Sequence, residues 1–220
     1  MPSPSSDTTK GAGTEMLSAD AKNSLGVATE AYYAQVAEIA DYLLGRGITG
    51  EAALTHRLGY VREPMIGDEQ YVGRLAIPYL TPTGTVDIRY RAVRPDDSPK
   101  YMSRSGAQQH IYNVLAFQQD SDIIAICEGE IDTIITHSMV GIPAVGMPGS
   151  QAWKNWYARA FADYRKVVVL CDGDQPGRDM GKKIMQAIDV AVVVAMPDGL
   201  DVNEVYLSEG ADGIRKRVGL

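Results

Sequence analysis

Residues 123–132, IIAICEGEID, and residues 167–178, VVVLCDGDQPGR, share one layout: an apolar β-branched run, a cysteine, then acids spaced by glycine. A continuous apolar run of this length reads as a strand covered on both faces. Two further runs, 142–145 and 190–196, complete a set of four, with helical segments between them. Strands alternating with helices indicate an α/β unit with a parallel sheet and right-handed crossovers. In open sheets of this kind ligands bind beyond the carboxyl ends of the strands. The acids fall there: Glu128, Glu130 and Asp132 after the first run, Asp172 and Asp174 after the third, Asp198 and Asp201 after the fourth.

Carboxylates gathered at one sheet edge repel one another, and a cation is the usual remedy. Oxygen-only donors select hard ions, so Mg²⁺ or Mn²⁺ is expected and zinc is not. Two cysteines and three scattered histidines cannot supply a four-ligand zinc ribbon either. On an extended stretch Asp172 and Asp174 project to one side. On a helical turn Asp132 lies one turn beyond Glu128. Gly129, Gly173 and Gly177 read as room for an approaching polyanion. The helix expected after Asp174 has Met180, Ile184 and Ile188 on one face. Its N-terminus, with Arg178, suits a phosphate. The two glycine-spaced acid pairs, Glu128 with Glu130 and Asp172 with Asp174, each after an apolar strand, read together as a functional set.

The rest of the 220 residues is less pointed. A net charge of −7 argues against a general nucleic-acid binder but agrees with collected carboxylates. Residues 1–16, rich in Ser, Thr, Pro and Gly, read as a disordered tail. No signal peptide and no membrane-spanning run is visible, so a cytoplasmic address is expected. Cys127 and Cys171 read as small buried hydrophobes. Val36, Ile39, Ala40, Leu43 and Leu44 give residues 25–44 a helical stripe, and Thr49 caps a second helix ending at Gly59. Residues 71–80 and 85–93 flank a Pro82-Thr83-Gly84 turn and read as a hairpin. Its second strand alternates Val86, Ile88 and Tyr90 with Asp87, Arg89 and Arg91, one apolar and one charged face. Arg89, Arg91, Arg94, Lys100 and Arg104 make residues 89–104 the most basic stretch. It reads either as a track for a nucleic-acid backbone or as a solvated strand face. Tyr90 and Tyr101 fit base stacking or hairpin packing equally. Trp153, Trp156, Tyr157, Ala160 and Phe161, at helical spacing, read as core.

Residues 125–149, AICEGEIDTIITHSMVGIPAVGMPG, and 167–183, VVVLCDGDQPGRDMGKK, resemble the Toprim domain of bacterial-type primases, topoisomerases and some nucleases. Glu128, Asp172 and Asp174 fill that family's acidic positions, which makes them the candidate catalytic residues, and Asp132 matches a further one. Residues 196–214, MPDGLDVNEVYLSEGADGI, resemble the primase continuation. Asp201 stands at the first of its two acids, and Asn203 replaces the second. Upstream, residues 42–61 and 74–114 resemble the helical start, hairpin and basic segment of the primase RNA polymerase domain. Arg91 and Lys100 match residues that touch template or nucleotide there, while one family lysine has no counterpart.

The resemblance implies a Toprim domain over residues 119–220, a roughly four-stranded parallel sheet flanked by helices. A smaller α+β subdomain over 17–118 precedes it. It further implies two-metal synthesis of short RNA primers from ribonucleoside triphosphates on single-stranded DNA. Metal would sit on Glu128, Asp132, Asp172, Asp174 and Asp201. Neither the zinc module nor the helicase-binding module of such primases has a counterpart, which points to a compact, phage-type enzyme. A replicative helicase or a separate primase subunit would be its partner. A Toprim nuclease and a non-catalytic template-binding subunit are the alternatives.

Overall fold

A computed structural model of the chain describes residues 17–149 and 151–220. The tail expected over residues 1–16 lies outside the described residues. The N-terminal half begins with α1 (Ala19–Tyr33), whose cap Ser18 accepts the Ala21 amide at 3.1 Å. The single helix expected over 25–44 is broken after Tyr33. A 3₁₀ turn (Val36–Ile39) intervenes before α2 (Ala40–Gly45). Gln35 explains the break. Its side chain donates to the Ala31 carbonyl (3.0 Å) and accepts the amides of Arg62 and Glu63 (3.1 and 2.9 Å). Thr49 does cap α3 (Gly50–Thr55), accepting the Ala52 amide.

β1 (Gly59–Tyr60), β2 (Arg74–Thr81), β3 (Gly84–Ala92) and β4 (Tyr101–Ser103) form an antiparallel sheet in that order. Thr81 Oγ1 donates to the Gly84 carbonyl (2.8 Å) and closes the hairpin, where Gly84 takes a φ of 109°. The half-solvated β3 read from its alternation is not what forms. Ile88 and Tyr90 pack under α1 with Leu25 and Tyr32. The charged face is covered as well: Asp87 and Arg91 are buried beside Leu75, Ile77 and Tyr79 of β2. A second layer lies over it, and a strand's alternation cannot announce that layer.

The layer is the parallel sheet. β5 (Ile123–Cys127) leads into α4 (Glu130–Ile134), which continues as one π-helical stretch (Ile135–Val140) before β6 (Ala144–Gly146). β7 (Lys166–Cys171), α5 (Gln175–Ala187), β8 (Ala191–Ala195) and α6 (Val202–Val218) follow. The order is β6-β5-β7-β8, all parallel. Side chains alternate between two cores. Ala125, Cys127, Val168 and Leu170 join Ile77 and Tyr79 of the hairpin and Val205 of α6. Ile124, Ile126, Val167 and Val169 face Met180 and Ile184 of α5 and the Trp153–Phe161 region. The hairpin and the parallel sheet thus share one core. Each fully buried Ile or Leu in it contributes about 1.5–3 kcal/mol. Both cysteines are buried free thiols. β8, at the edge, leaves Val192 half-exposed. Among the described residues no helix is long and apolar enough to cross a membrane.

Candidate active site

The carboxyl ends of β5 and β7 and the start of α6 meet the open side of β3 and β4. A cleft of about 220 Å³ lies between them. Glu128, Asp132, Asp172 and Asp201 line one wall. Arg46, Arg89, Arg91, Lys100 and Tyr101 line the other.

Local structure fixes each acid. Asp132 sits in the first turn of α4 and accepts the Asn203 amide at 3.0 Å. Asp201 caps α6, accepting the Glu204 amide (2.7 Å), while Glu204 returns a bond to the Asp201 amide (2.9 Å). Asp174 caps α5 through the Gly177 amide (2.8 Å), so that helix start is already partly answered from within the chain. Asp174 itself is exposed and does not line the cleft, though its charge reaches Asp172. Gly173 and Gly177 serve packing rather than ligand access. A Cβ on Gly173 would stand 1.8 Å from the Pro197 carbonyl oxygen, and one on Gly177 2.7 Å from the Asp172 carbonyl oxygen and 3.0 Å from Glu128 Oε2.

The electrostatics agree with the crowding. Burial pushes the Asp172 carboxyl up to about 7, helped by Glu128, Asp201 and Asp174 and opposed by Lys100. Burial, with Asp201 and Asp172, pushes Asp132 up to about 7 against the Asn203 amide and Arg91. Asp172 Oδ1 is buried with no hydrogen-bond partner among the described residues. A buried acceptor without a donor is costly. An oxygen-only set with such an atom fits a hard divalent cation. The fit is not that of a preformed cage: among the described residues no three His, Cys, Asp or Glu side chains close into a metal-holding group.

The basic candidates separate. Lys100 is exposed and faces Asp172 across the cleft. Arg91 is buried, donating to the Tyr42 hydroxyl (3.0 Å) and to Tyr101. Arg89 pairs with Glu130 at 2.7 Å, and Tyr79 bonds the same carboxylate oxygen. Both guanidiniums lie over the Tyr101 ring, at 4.3 Å for Arg89 and 5.0 Å for Arg91. Arg104 is spent on Asp68 (2.8 Å), whose other oxygen takes the Tyr32 and Tyr90 hydroxyls. Arg94 is exposed outside the cleft. Arg178 binds the Gly173 carbonyl (3.1 Å) and reaches Asp198 (3.4 Å). Tyr90 is core, stacked on Tyr71 at 3.7 Å. A continuous basic track along 89–104 is therefore not what the sheet presents. Pleating and pairing turn Arg89, Arg91 and Arg104 to internal partners.

One cleft residue escaped the sequence reading. Arg46 enters the cleft from the end of α2, and its only signal is a cation between Gly45 and Gly47. Glu130, read among the strand-end acids, opens α4 and is instead the buried anchor of Arg89. Asn203 does not face the cleft as a weakened ligand. Its side chain donates to the Arg46 carbonyl (2.7 Å) and accepts from Arg46 (3.3 Å), joining α6 to the N-terminal half.

Residues 125–206 match the family model described as Toprim-like. The gene 57 protein of Mycobacterium phage D29 is 40% identical over 153 residues, covering 67% of this chain and 99% of that protein. A DNA primase of Pseudomonas aeruginosa is 24% identical over 81% of this chain and 34% of the primase, so the chain spans about a third of that relative's length. The structure of a DnaG primase catalytic domain bound to single-stranded DNA superposes with a TM-score of 0.73. The identity is 18%, over 89% of this chain and 77% of that one.

Proposed function

Because the chain belongs to the family of the phage D29 gene 57 protein and its residues 125–206 match the Toprim-like model, we propose that it is a DNA primase catalytic core joining ribonucleotides into short primers on single-stranded DNA. The observation that carries this reading is the cleft itself. Strand-end acids of the parallel sheet face Lys100, Arg91 and Tyr101 of the antiparallel sheet. One wall suits cations, and the other suits the polyanions that cations accompany. The hairpin half supplies that second wall, which supports a polymerase core over a Toprim nuclease.

Glu128, Asp132, Asp172, Asp174 and Asp201 would hold Mg²⁺ or Mn²⁺, which neutralises a triphosphate and lowers the pKa of an attacking 3′-hydroxyl. The chain's own groups then position the reactants. Lys100 offers an exposed charge opposite Asp172, placed for phosphate oxygens. Arg91 is held by two tyrosines, so its guanidinium is oriented before anything binds. The 3′-hydroxyl attacks the α-phosphorus, its proton leaves to Glu128 or water, and pyrophosphate departs. Such transfer needs positioning and charge stabilisation rather than a covalent nucleophile. Lys100, Arg94 and Arg178 would contact phosphates, and a helicase or separate primase subunit would deliver template.

The test is incorporation of labelled ribonucleotides on single-stranded DNA by the purified chain with Mg²⁺ or Mn²⁺. Short alkali-labile products are expected, lost in Asp172→Ala/Asp174→Ala. Degraded template without RNA products would overturn the reading in favour of a nuclease.

A further inference from the structure

Trp153, Trp156, Tyr157, Ala160 and Phe161 read from their spacing as one buried stripe, and the structure divides it. Trp153, Tyr157 and Phe161 lie in the core, but Trp156 is 63% exposed. Its ring stands 4.2 Å from Tyr157 at a tilt of 57°, and Tyr157 in turn packs on Trp153 at 5.9 Å. The exposed indole is therefore buttressed from behind. In front, a groove of about 400 Å³ is bounded by Gln109, His110, Ile111 and Arg159.

A single exposed hydrophobe is ordinary. The surroundings here are not. Lys154 and Arg159 flank the ring, are exposed, and make no ion pair among the described residues, although the chain carries a net charge of −7. Burial, with Lys154 nearby, lowers the His110 pKa, and the groove adds that ring and the Gln109 amide for hydrogen bonding. Chain length bounds the distance from this groove to the catalytic cleft. Gly149 lines that cleft, and seven residues of chain, spanning at most about 25 Å, lead from it to Trp156.

Resting on the primase reading, we propose that Trp156 is a stacking platform for an unpaired base of the single strand engaged by the cleft, with Lys154 and Arg159 on the flanking phosphates. Aromatic faces accept any base, so the contact guides the strand without reading its sequence. A protein partner would leave the two unpaired cations unexplained, whereas a nucleic acid supplies their counter-charge.

The two tryptophans make the test direct. Trp153→Phe leaves Trp156 as the sole emitter, to be titrated with oligodeoxythymidine. Anisotropy of a fluorescein-labelled oligonucleotide reports affinity independently for the parent, Trp156→Ala and Trp156→Phe. Expected are saturable quenching at the Kd found by anisotropy and a roughly 5- to 140-fold weaker Kd in Trp156→Ala. Trp156→Phe should retain most of the affinity, and thermal midpoints should stay unchanged. Binding with unmoved emission and an unchanged Kd in Trp156→Ala overturns the platform and leaves the primase reading standing. No binding by the parent at low salt overturns both. Loss of self-association in Trp156→Ala, with Kd unchanged, assigns the patch to a second copy and also overturns the proposal.

Discussion

Arg89→Ala separates a strand contact from an internal strut. Glu130 is 1% exposed, and one of its oxygens takes both the Arg89 guanidinium and the Tyr79 hydroxyl at 2.7 Å. Deleting the guanidinium leaves a buried carboxylate with one neutral donor. Breaking a buried pair from one side costs about 3–5 kcal/mol. Arg89 is 20% exposed, and Tyr79 remains, so the lower end, about 3 kcal/mol, applies here. For a chain of this size that lowers the melting midpoint by about 6–12 °C. Urea and thermal unfolding followed by circular dichroism measure it. Arg89→Met/Glu130→Met should recover most of the loss, because an apolar pair leaves no orphaned charge. A cost below about 1 kcal/mol, joined to a large drop in template affinity, would refute the strut and return Arg89 to the strand-binding track.

Lys100→Glu should weaken single-strand binding at low salt without moving the melting midpoint, whereas Arg91→Glu, a buried reversal, should destabilise the fold outright; equal melting midpoints would contradict the burial of Arg91. Asp172→Asn should raise the melting midpoint in chelator at pH 8. The native carboxyl, raised to about 7, favours folding while protonated and loses that contribution as pH rises from about 4 through 7. After solvent screening the gain is on the order of 1–2 kcal/mol. The same variant should lose any stabilisation by Mn²⁺. His56 behaves oppositely. Burial holds it down at about 3, so the unfolded chain takes up a proton that the folded one refuses below pH 6.5. Stability present above pH 6.5 should fall by about 3 kcal/mol toward pH 4, and His56→Gln, which loses the stack on Tyr112, should flatten that slope.

The parallel sheet and its acids were legible because buried strands of β-branched residues write themselves as runs, and the acids follow at the strand ends. Glu128, Asp132, Asp172 and Asp201 accordingly meet in one cleft. The alternation of β3 told which residues share a face but not what covers it, so neither the track nor the solvated face read from it announced that Asp87 and Arg91 are buried. Arg104 read as free because its partner Asp68 lies 36 residues away and across a sheet. Gln35 broke a helix through Arg62 and Glu63, contacts no local periodicity contains. Trp156 was lost in a stripe shared with its buried neighbours.

The carboxylate cleft is tested most directly by crystals grown with Mn²⁺ and examined by anomalous scattering at the manganese edge. Peaks within coordination distance of Asp172, joined by Glu128, Asp174 or Asp201, are expected, and they should vanish in Asp172→Asn. A well-ordered cleft with no peak at saturating Mn²⁺ and bound nucleotide would contradict the assignment of these acids to metal.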